Sequence, residues 1–447
     1  MNHSIIERIE YLKEWISYNR AYMDNVGASI SIFNNKEVLF TDGFGFSNIE
    51  KEINASSSSI YRVASITKLF TATAIMQLKE LGKLNLNKPV IEYIPWFKFS
   101  KELDLDKVTI LNLLTHSAGI PRESAHPYWI TLNFPDKEGV KEGLKDQRQI
   151  LPSNKMWKYS NLGFGFLGEI IEIISGYSYE DYIQNNIIKP LGLTNTHIKS
   201  IDNSNPQMSI GYSRKLPRQQ RVPIKIADCQ WIGSAANLSS TALDLAKFLQ
   251  VFMNNDGSFL NKETINEMLQ LNIENKESAD GYSLGFKHIN LDNHIKIGHS
   301  GSFQGFKSYA YFLKELTLGV IVLTSSTDSN PVLIANQIYD CLLPTLNSPS
   351  SHYFKGQHLK KFTGKYRNAW RDYCVLLLDG QLNLFNMSEG NFKNNELLIE
   401  EGENIFRLES NSGGSSNGEK VSFELNAENI PTRIFIGNSY ADAIIKW

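Results

Sequence analysis

Ser65 and Lys68 stand three residues apart at the start of the most apolar helical run in the chain, residues 66–81. On a helix such a pair shares one face about one turn apart, so the lysine amine can approach the serine hydroxyl. An unassisted serine is a poor nucleophile, and a lysine whose burial lowers its pKa can serve as its base. The helix start adds backbone N–H groups aimed at a developing oxyanion. The same spacing also describes a surface lysine one turn from a capping serine, so alone it decides nothing. Two further triplets carry suitable chemistry. Tyr159-Ser160-Asn161 precedes another helical run; a tyrosine near cations can act as a phenolate base, and an asparagine amide can hold a substrate carbonyl. His299-Ser300-Gly301 ends a short β run, with a glycine where a substrate backbone can approach closely. A buried tyrosine beside an asparagine turn, or a histidine capping a strand, would explain either triplet without catalysis.

The elements that must position these residues follow from periodicity. Ile5, Ile6, Ile9, Leu12 and Ile16 recur at helical spacing after Ser4 and Glu7, which have the form of a capping box, so an amphipathic packing helix opens the chain. β-rich runs at 30–33 and 38–40, separated by Asn34, Asn35 and Lys36, predict a hairpin. Helices are expected at 66–81, 162–174, 179–187 and 242–253, with Gly82 and Gly176 as C-terminal caps. Strands follow at 308–313 and 318–323, then a helix at 332–343. Strands at both ends of a helical middle imply one antiparallel sheet built from sequence-distant pieces, with a helical lobe inserted. Pro344, Asn347, Ser348, Pro349, Ser350 and Ser351 give 344–351 a linker composition. Beyond it, runs at 373–378 and 381–385 flank Asp379-Gly380, a hairpin signal, and 412–418 is a Gly- and Ser-rich turn. The expected domains are 1–345, a linker at 346–353, and a small all-β domain at 354–447.

Bulk composition excludes several functions. The 447 residues suffice for a large core, and 45 basic against 47 acidic residues leave −2, with no field to attract nucleic acid or anionic membrane. Cys229, Cys341 and Cys374 form no disulfide framework or zinc spacing, which suits a reducing compartment. Glu7, Arg8, Glu10, Lys13 and Glu14 interrupt the first apolar residues, and the expected location is cytoplasmic. Gly163, Gly165 and Gly168 satisfy G-x-G-x-x-G but follow no strand, so small-residue helix packing explains them better than a dinucleotide. The nine histidines show no metal-ligand spacing, and His116 in its Thr115-Ser117 turn reads as structural. No metal or organic cofactor is expected.

Taken in order, the three motifs resemble those of the penicillin-binding-protein and class C β-lactamase family of serine hydrolases, whose related set is S-x-x-K, S-D-N and K-T-G. Tyr159-Ser160-Asn161 is similar to the class C form, and His299-Ser300-Gly301 to the form in esterases and D-aminopeptidases. Tyr61-Arg62-Val63-Ala64, Leu113 to Gly119, Pro190-Leu191-Gly192-Leu193 and Gly298 to Gly305 strengthen a resemblance spanning about residues 26–343. It implies an α/β, β-lactamase/transpeptidase-like fold, an antiparallel sheet flanked by helices plus a helical lobe. It implies Ser65 as nucleophile, Lys68 as its base partner, and Tyr159 as the proton shuttle to the leaving group. Asn161 would hold the substrate, as would His299, Gly301 and Ser302, with His299 giving a proton or hydrogen bond where relatives use lysine. The backbone N–H groups of Ser65 and Ser302 would form the oxyanion hole. Whether Lys68 or Tyr159 takes the serine proton stays open.

A mostly neutral histidine at 299 attracts a substrate carboxylate less than lysine does, which argues against strong penicillin hydrolysis. Phe362-Thr363-Gly364-Lys365-Tyr366 is similar to the first strand of lipocalin-like domains that oligomerise or cover the cleft in relatives; a β appendage irrelevant to catalysis is the alternative. The expected function is cleavage of a small amide, short peptide or ester through an acyl-enzyme on Ser65, of D-aminopeptidase or esterase type, with self-association through the C-terminal domain. The alternatives are a true β-lactamase or D-Ala-D-Ala carboxypeptidase and, from another class, a non-catalytic binding module on the same scaffold.

Overall fold

The computed structural model describes residues 3–199, 205–274, 280–291, 293–346, 356–389, 392, 395–410 and 416–447. The chain divides into two compact units, Val26–Pro331 and Met1–Asn25 with Val332–Trp447. A single boundary at 345 differs from this division, because helix α1 (His3–Tyr22) and the helix that starts at Pro331 group with the C-terminal strands.

In the Val26–Pro331 unit, β1 (Gly27–Phe33) is buried along its whole length and pairs with β2 (Val38–Asn48) through the expected hairpin. The Asn34 side chain closes that turn by accepting the Lys36 and Glu37 N–H groups at 2.7 and 2.8 Å. β3 (Ile53–Asn54) extends this edge. The rest of the sheet comes from more than 200 residues later: β4 (Ile273–Glu274), β5 (Gly281–Tyr282), β6 (Lys287–Leu291), β7 (His294–Phe303), β8 (Phe306–Leu313) and β9 (Leu318–Thr324). The order is β3-β2-β1-β9-β8-β7-β6-β5-β4, every pairing antiparallel. This is the sheet of sequence-distant pieces around a helical insertion.

Three helices of the insertion frame the chemistry: α2 (Thr67–Glu80), α3 (Asn161–Ser175) and α4 (Ala242–Asn254). α2 is buried along most of its length, and Phe70 stacks on Phe248 of α4 with centroids 4.0 Å apart. Gly82 and Gly176 take left-handed conformations after α2 and α3, as expected of caps. The glycines of α3 serve close packing: a Cβ on Gly165 would lie 2.3 Å from the Trp231 ring, and one on Gly168 2.5 Å from Ser234 Oγ. The helix expected at 179–187 runs from Tyr179 to Ile183 and widens into a π-helical turn, Gln184–Ile188.

In the other unit, α5 (Pro331–Leu346) runs past the expected break and takes Pro344 into its last turn, where the missing N–H leaves only one upstream carbonyl without its helical donor. The linker residues 347–353 lie outside the described residues, as does 412–415 of the expected turn. Eight strands, β10 (Gly364–Arg367), β11 (Asp372–Leu378), β12 (Gln381–Asn386), β13 (Glu396–Gly402), β14 (Ile405–Ser410), β15 (Lys420–Leu425), β16 (Pro431–Ile436) and β17 (Ser439–Ile444), close into an antiparallel barrel. Tyr366, Val375, Leu384, Phe406, Val421, Phe423 and Ile434 fill its interior. Asp379 and Gly380 both have positive φ, as a two-residue hairpin turn requires. Ser4 lies inside α1 and donates to Asp379 Oδ1 at 2.6 Å, while Glu7 accepts the Asp379 N–H at 2.8 Å. These residues brace the barrel hairpin because Arg8, 2.8 Å from Asp379 Oδ2, holds the same turn against the helix.

Candidate active site

Ser65 sits in a 3₁₀ turn, Ala64–Ile66, that runs into α2. The preceding Ala64 has φ +47°, a strained conformation for a residue with a Cβ. Thr67 stabilises the turn by donating to the Ala64 carbonyl at 2.6 Å. Ser65 is half-buried, and Lys68, one turn on, is fully buried.

Lys68 Nζ lies 3.1 Å from Ser65 Oγ, 2.7 Å from Asn161 Oδ1 and 2.9 Å from the Ala235 carbonyl. Two carbonyl acceptors satisfy the two N–H bonds of a neutral amine and leave its lone pair for the serine proton. Burial lowers the Lys68 pKa to about 7, with Glu123 opposing the shift and Arg122 adding to it. The amine is therefore substantially deprotonated near neutral pH. On the other side of the serine, the Tyr159 hydroxyl donates to Ser65 Oγ at 2.7 Å. Burial pushes the Tyr159 pKa up, against the smaller lowering by that bond, so the phenol keeps its proton. The resting arrangement has a tunable base on one side of Oγ and a proton donor on the other.

Ser160 caps α3 by accepting the Gly163 N–H at 2.9 Å, which places Asn161 at the first position of the helix. The Asn161 amide meets two groups of the protein itself. Its Oδ1 accepts from Lys68, and its Nδ2 donates to Glu123 Oε1 at 2.5 Å. Glu123 also accepts from Tyr128 at 2.8 Å and from Arg122 at 3.2 Å.

The opposite wall is β7. Its Gly301 lies against the turn that carries Ser65: a Cβ there would stand 2.2 Å from the Val63 carbonyl and 3.1 Å from Ala64 Cβ. The close approach that this glycine permits is thus that of the chain's own backbone. Ser302 follows, exposed on the same strand. His299 is buried and its two ring nitrogens are engaged, Nδ1 2.6 Å from the Ser300 carbonyl and Nε2 3.1 Å from the Tyr282 hydroxyl. A neutral ring donates through Nδ1 and accepts from Tyr282 through Nε2. Burial, and then Lys68, depress the His299 pKa to about 3. Both ring nitrogens thus face groups of the protein, and the ring carries no positive charge at neutral pH.

The structure brings Ser65, Lys68, Tyr159 and Asn161 into one hydrogen-bonded set, with His299 beside them, its ring 6.3 Å from that of Tyr159. Sequence reading missed Glu123, Tyr282 and the Ala235 carbonyl. Glu123 lies just past the noted 113–119 segment, whereas nothing in the sequence marks Tyr282 or a backbone carbonyl as part of the site. Among the described residues no cluster of three or more His, Cys, Asp or Glu is placed to hold a metal ion, and no helix is long and apolar enough to cross a membrane.

The sheet with its helical insertion is the β-lactamase/transpeptidase-like fold, and its Ser-x-x-Lys turn faces Tyr159. The chain belongs to the Beta-lactamase family, whose model matches residues 16–340 and whose members are serine hydrolases. It is 28% identical over 354 residues to protein flp of Staphylococcus aureus strain N315, covering 78% of this chain and 68% of that protein. Among solved structures it is similar to the octameric penicillin-binding protein homologue from Pyrococcus abyssi, with TM-score 0.67, 26% identity and 97% and 99% of the two chains covered. A D-stereospecific amidohydrolase from Streptomyces sp. shares the fold, with TM-score 0.62 at 24% identity over 71% of this chain and 96% of that one.

Proposed function

We propose that this protein cleaves small amides, short peptides or esters through an acyl-enzyme on Ser65, with a D-aminopeptidase or esterase type of substrate. The observation that carries this reading is the Ser65 hydroxyl held between Lys68 Nζ at 3.1 Å and the Tyr159 hydroxyl at 2.7 Å. Ser65 Oγ attacks the substrate carbonyl carbon as its proton passes to the Lys68 amine. Tyr159 gives its proton to the departing nitrogen or oxygen and recovers one from Lys68. Water then attacks the ester carbonyl and loses a proton to the same pair, which passes it to the departing Ser65 Oγ. The backbone N–H groups of Ser65 and Ser302 face the oxyanion in this scheme.

Charge supports the choice of substrate. Lys68 is fully occupied, His299 is neutral, and Arg122 is largely exposed beside Glu123, so the cleft offers little to a substrate carboxylate. The Arg122 charge is itself offset by Glu123, 3.2 Å away. Ser65→Ala should abolish hydrolysis of p-nitrophenyl acetate and D-alanine p-nitroanilide while leaving the melting temperature close to wild type, since a small hydroxyl leaves no cavity. Retained turnover would sink the assignment. The octameric state of the Pyrococcus abyssi homologue, similar over 97% of this chain, supports self-association as well, which sedimentation velocity reads directly.

A further inference from the structure

Tyr159 lies just ahead of the Ser160 cap of α3, outside the helix itself. The backbone N–H groups of the residues on both sides of it end on one residue. The Lys158 N–H donates to the His116 carbonyl at 2.7 Å, and the Ser160 N–H donates to His116 Nδ1 at 3.1 Å. Between these two bonds the imidazole lies against the phenol, with centroids 4.3 Å apart and planes tilted by 43°. His116 is itself fixed. It is buried, its φ is +57°, and the neighbouring Ser117 N–H donates to the Asn112 carbonyl at 2.9 Å while the Ser117 carbonyl accepts the Asn154 N–H at 2.8 Å. The rings of Phe164 and Tyr282 pack on it at 5.2 and 4.8 Å.

We propose that His116 is a positioning residue for Tyr159: its carbonyl and its neutral ring grip residues 158 and 160 so that the phenol oxygen stays beside Ser65 Oγ. The inference rests on the reading that Tyr159 moves a proton during reaction at Ser65. A ring that accepts at Nδ1 carries its proton on Nε2. Protonation at Nδ1 would set a donor against the Ser160 N–H and break the grip. Burial above all, and then the charge on Lys68, keep the ring neutral at working pH. A histidine present only for packing could be replaced by another ring. A clamp instead requires an acceptor near the Nδ1 position on a left-handed backbone, and asparagine meets both conditions.

The test compares His116→Phe, which keeps a ring and loses the acceptor, with His116→Asn, which keeps an acceptor and tolerates positive φ. With p-nitrophenyl acetate, His116→Phe should lower kcat about 10²-fold while KM changes by no more than about threefold, the mark of misplaced chemistry rather than lost binding. His116→Asn should restore at least about tenfold of that loss. A Phe variant with near-wild-type kcat, or an Asn variant no better than Phe, would overturn the proposal. If the Phe variant does not fold, nitrogen-15 spectra of the wild-type histidines decide: a neutral His116 protonated on Nε2 from about pH 5 to about pH 8 sustains the clamp, and a proton on Nδ1 refutes it. Ser65→Ala separates the two readings. Full activity in that variant removes the catalytic role of Ser65, whereas an inactive Ser65→Ala beside an unimpaired His116→Phe removes only the role of His116.

Discussion

The two walls of the cleft handle buried ionisable groups in opposite ways. On the helical wall, Lys68 is fully buried yet meets Asn161 Oδ1, the Ala235 carbonyl and Ser65 Oγ, and its pKa settles at about 7, where it can gain or lose a proton. On the sheet wall, His299 is just as enclosed and is committed to Tyr282 and the Ser300 carbonyl, with a pKa of about 3 that keeps it neutral throughout the working range. Desolvation is the first cause of both shifts. The outcome differs because lysine starts far above neutrality and burial brings it down to a useful value, whereas histidine starts near neutrality and burial carries it out of range. Burial therefore leaves Lys68 able to gain or lose a proton near neutrality and keeps His299 neutral there.

Four experiments would break or sharpen this contrast. Lys68→Met fills a similar volume without the amine, and kcat for p-nitrophenyl acetate should fall about 10²- to 10⁴-fold, the usual contribution of a positioned base. A fall below tenfold would show that Tyr159 serves as the base. Next is the pH profile. Below about 7 the Lys68 amine is protonated and cannot accept the serine proton, so kcat/KM should drop close to tenfold per pH unit on the acid side and level off above. The raised Tyr159 pKa predicts no alkaline fall until beyond the ordinary tyrosine value. An acid limb abolished by His299→Asn would instead assign the titration to the sheet wall.

Gly168→Ala probes how the helical wall is assembled. Its Cβ would meet Ser234 Oγ at 2.5 Å, next to the residue whose carbonyl holds Lys68. The variant should lose about 1–3 kcal/mol of stability by overpacking and show a shifted acid limb, because displacing the Ala235 carbonyl removes a Lys68 partner. Denaturant melts and the pH profile read both effects, and an unshifted limb would show that the carbonyl does not tune the amine. The smallest effect is expected for His299→Asn. If His299 is a neutral spacer, kcat/KM for a neutral ester should change less than about tenfold, within what a lost neutral hydrogen bond explains. A loss as deep as that of Lys68→Met would make the sheet wall catalytic.

The legibility of these features in the sequence varied with how local their causes are. The positions of α2, α3 and α4, the Asn34 turn and the Asp379-Gly380 turn follow from periodicity, caps and turn chemistry that act within a few residues. The pairing of Ser65 with Lys68 was legible for the same reason, since one helical turn joins them. The contacts of Ser4 and Glu7 with the hairpin turn at Asp379, more than 370 residues away, left no local signal.

The sequence by itself determined the residue types, the helical spacing that brings Lys68 to Ser65, and the three motifs whose order points to a serine hydrolase. Tertiary structure alone decided which partners those residues meet. It set Tyr159 against the serine from 94 positions away, gave Asn161 to Glu123 and His299 to Tyr282, and brought a backbone carbonyl from Ala235 to the lysine. The physical reason is that spacing along a helix is a local property of the backbone. A pKa and a free hydrogen-bond donor, in contrast, depend on every group that folding gathers around the side chain and on the water it excludes.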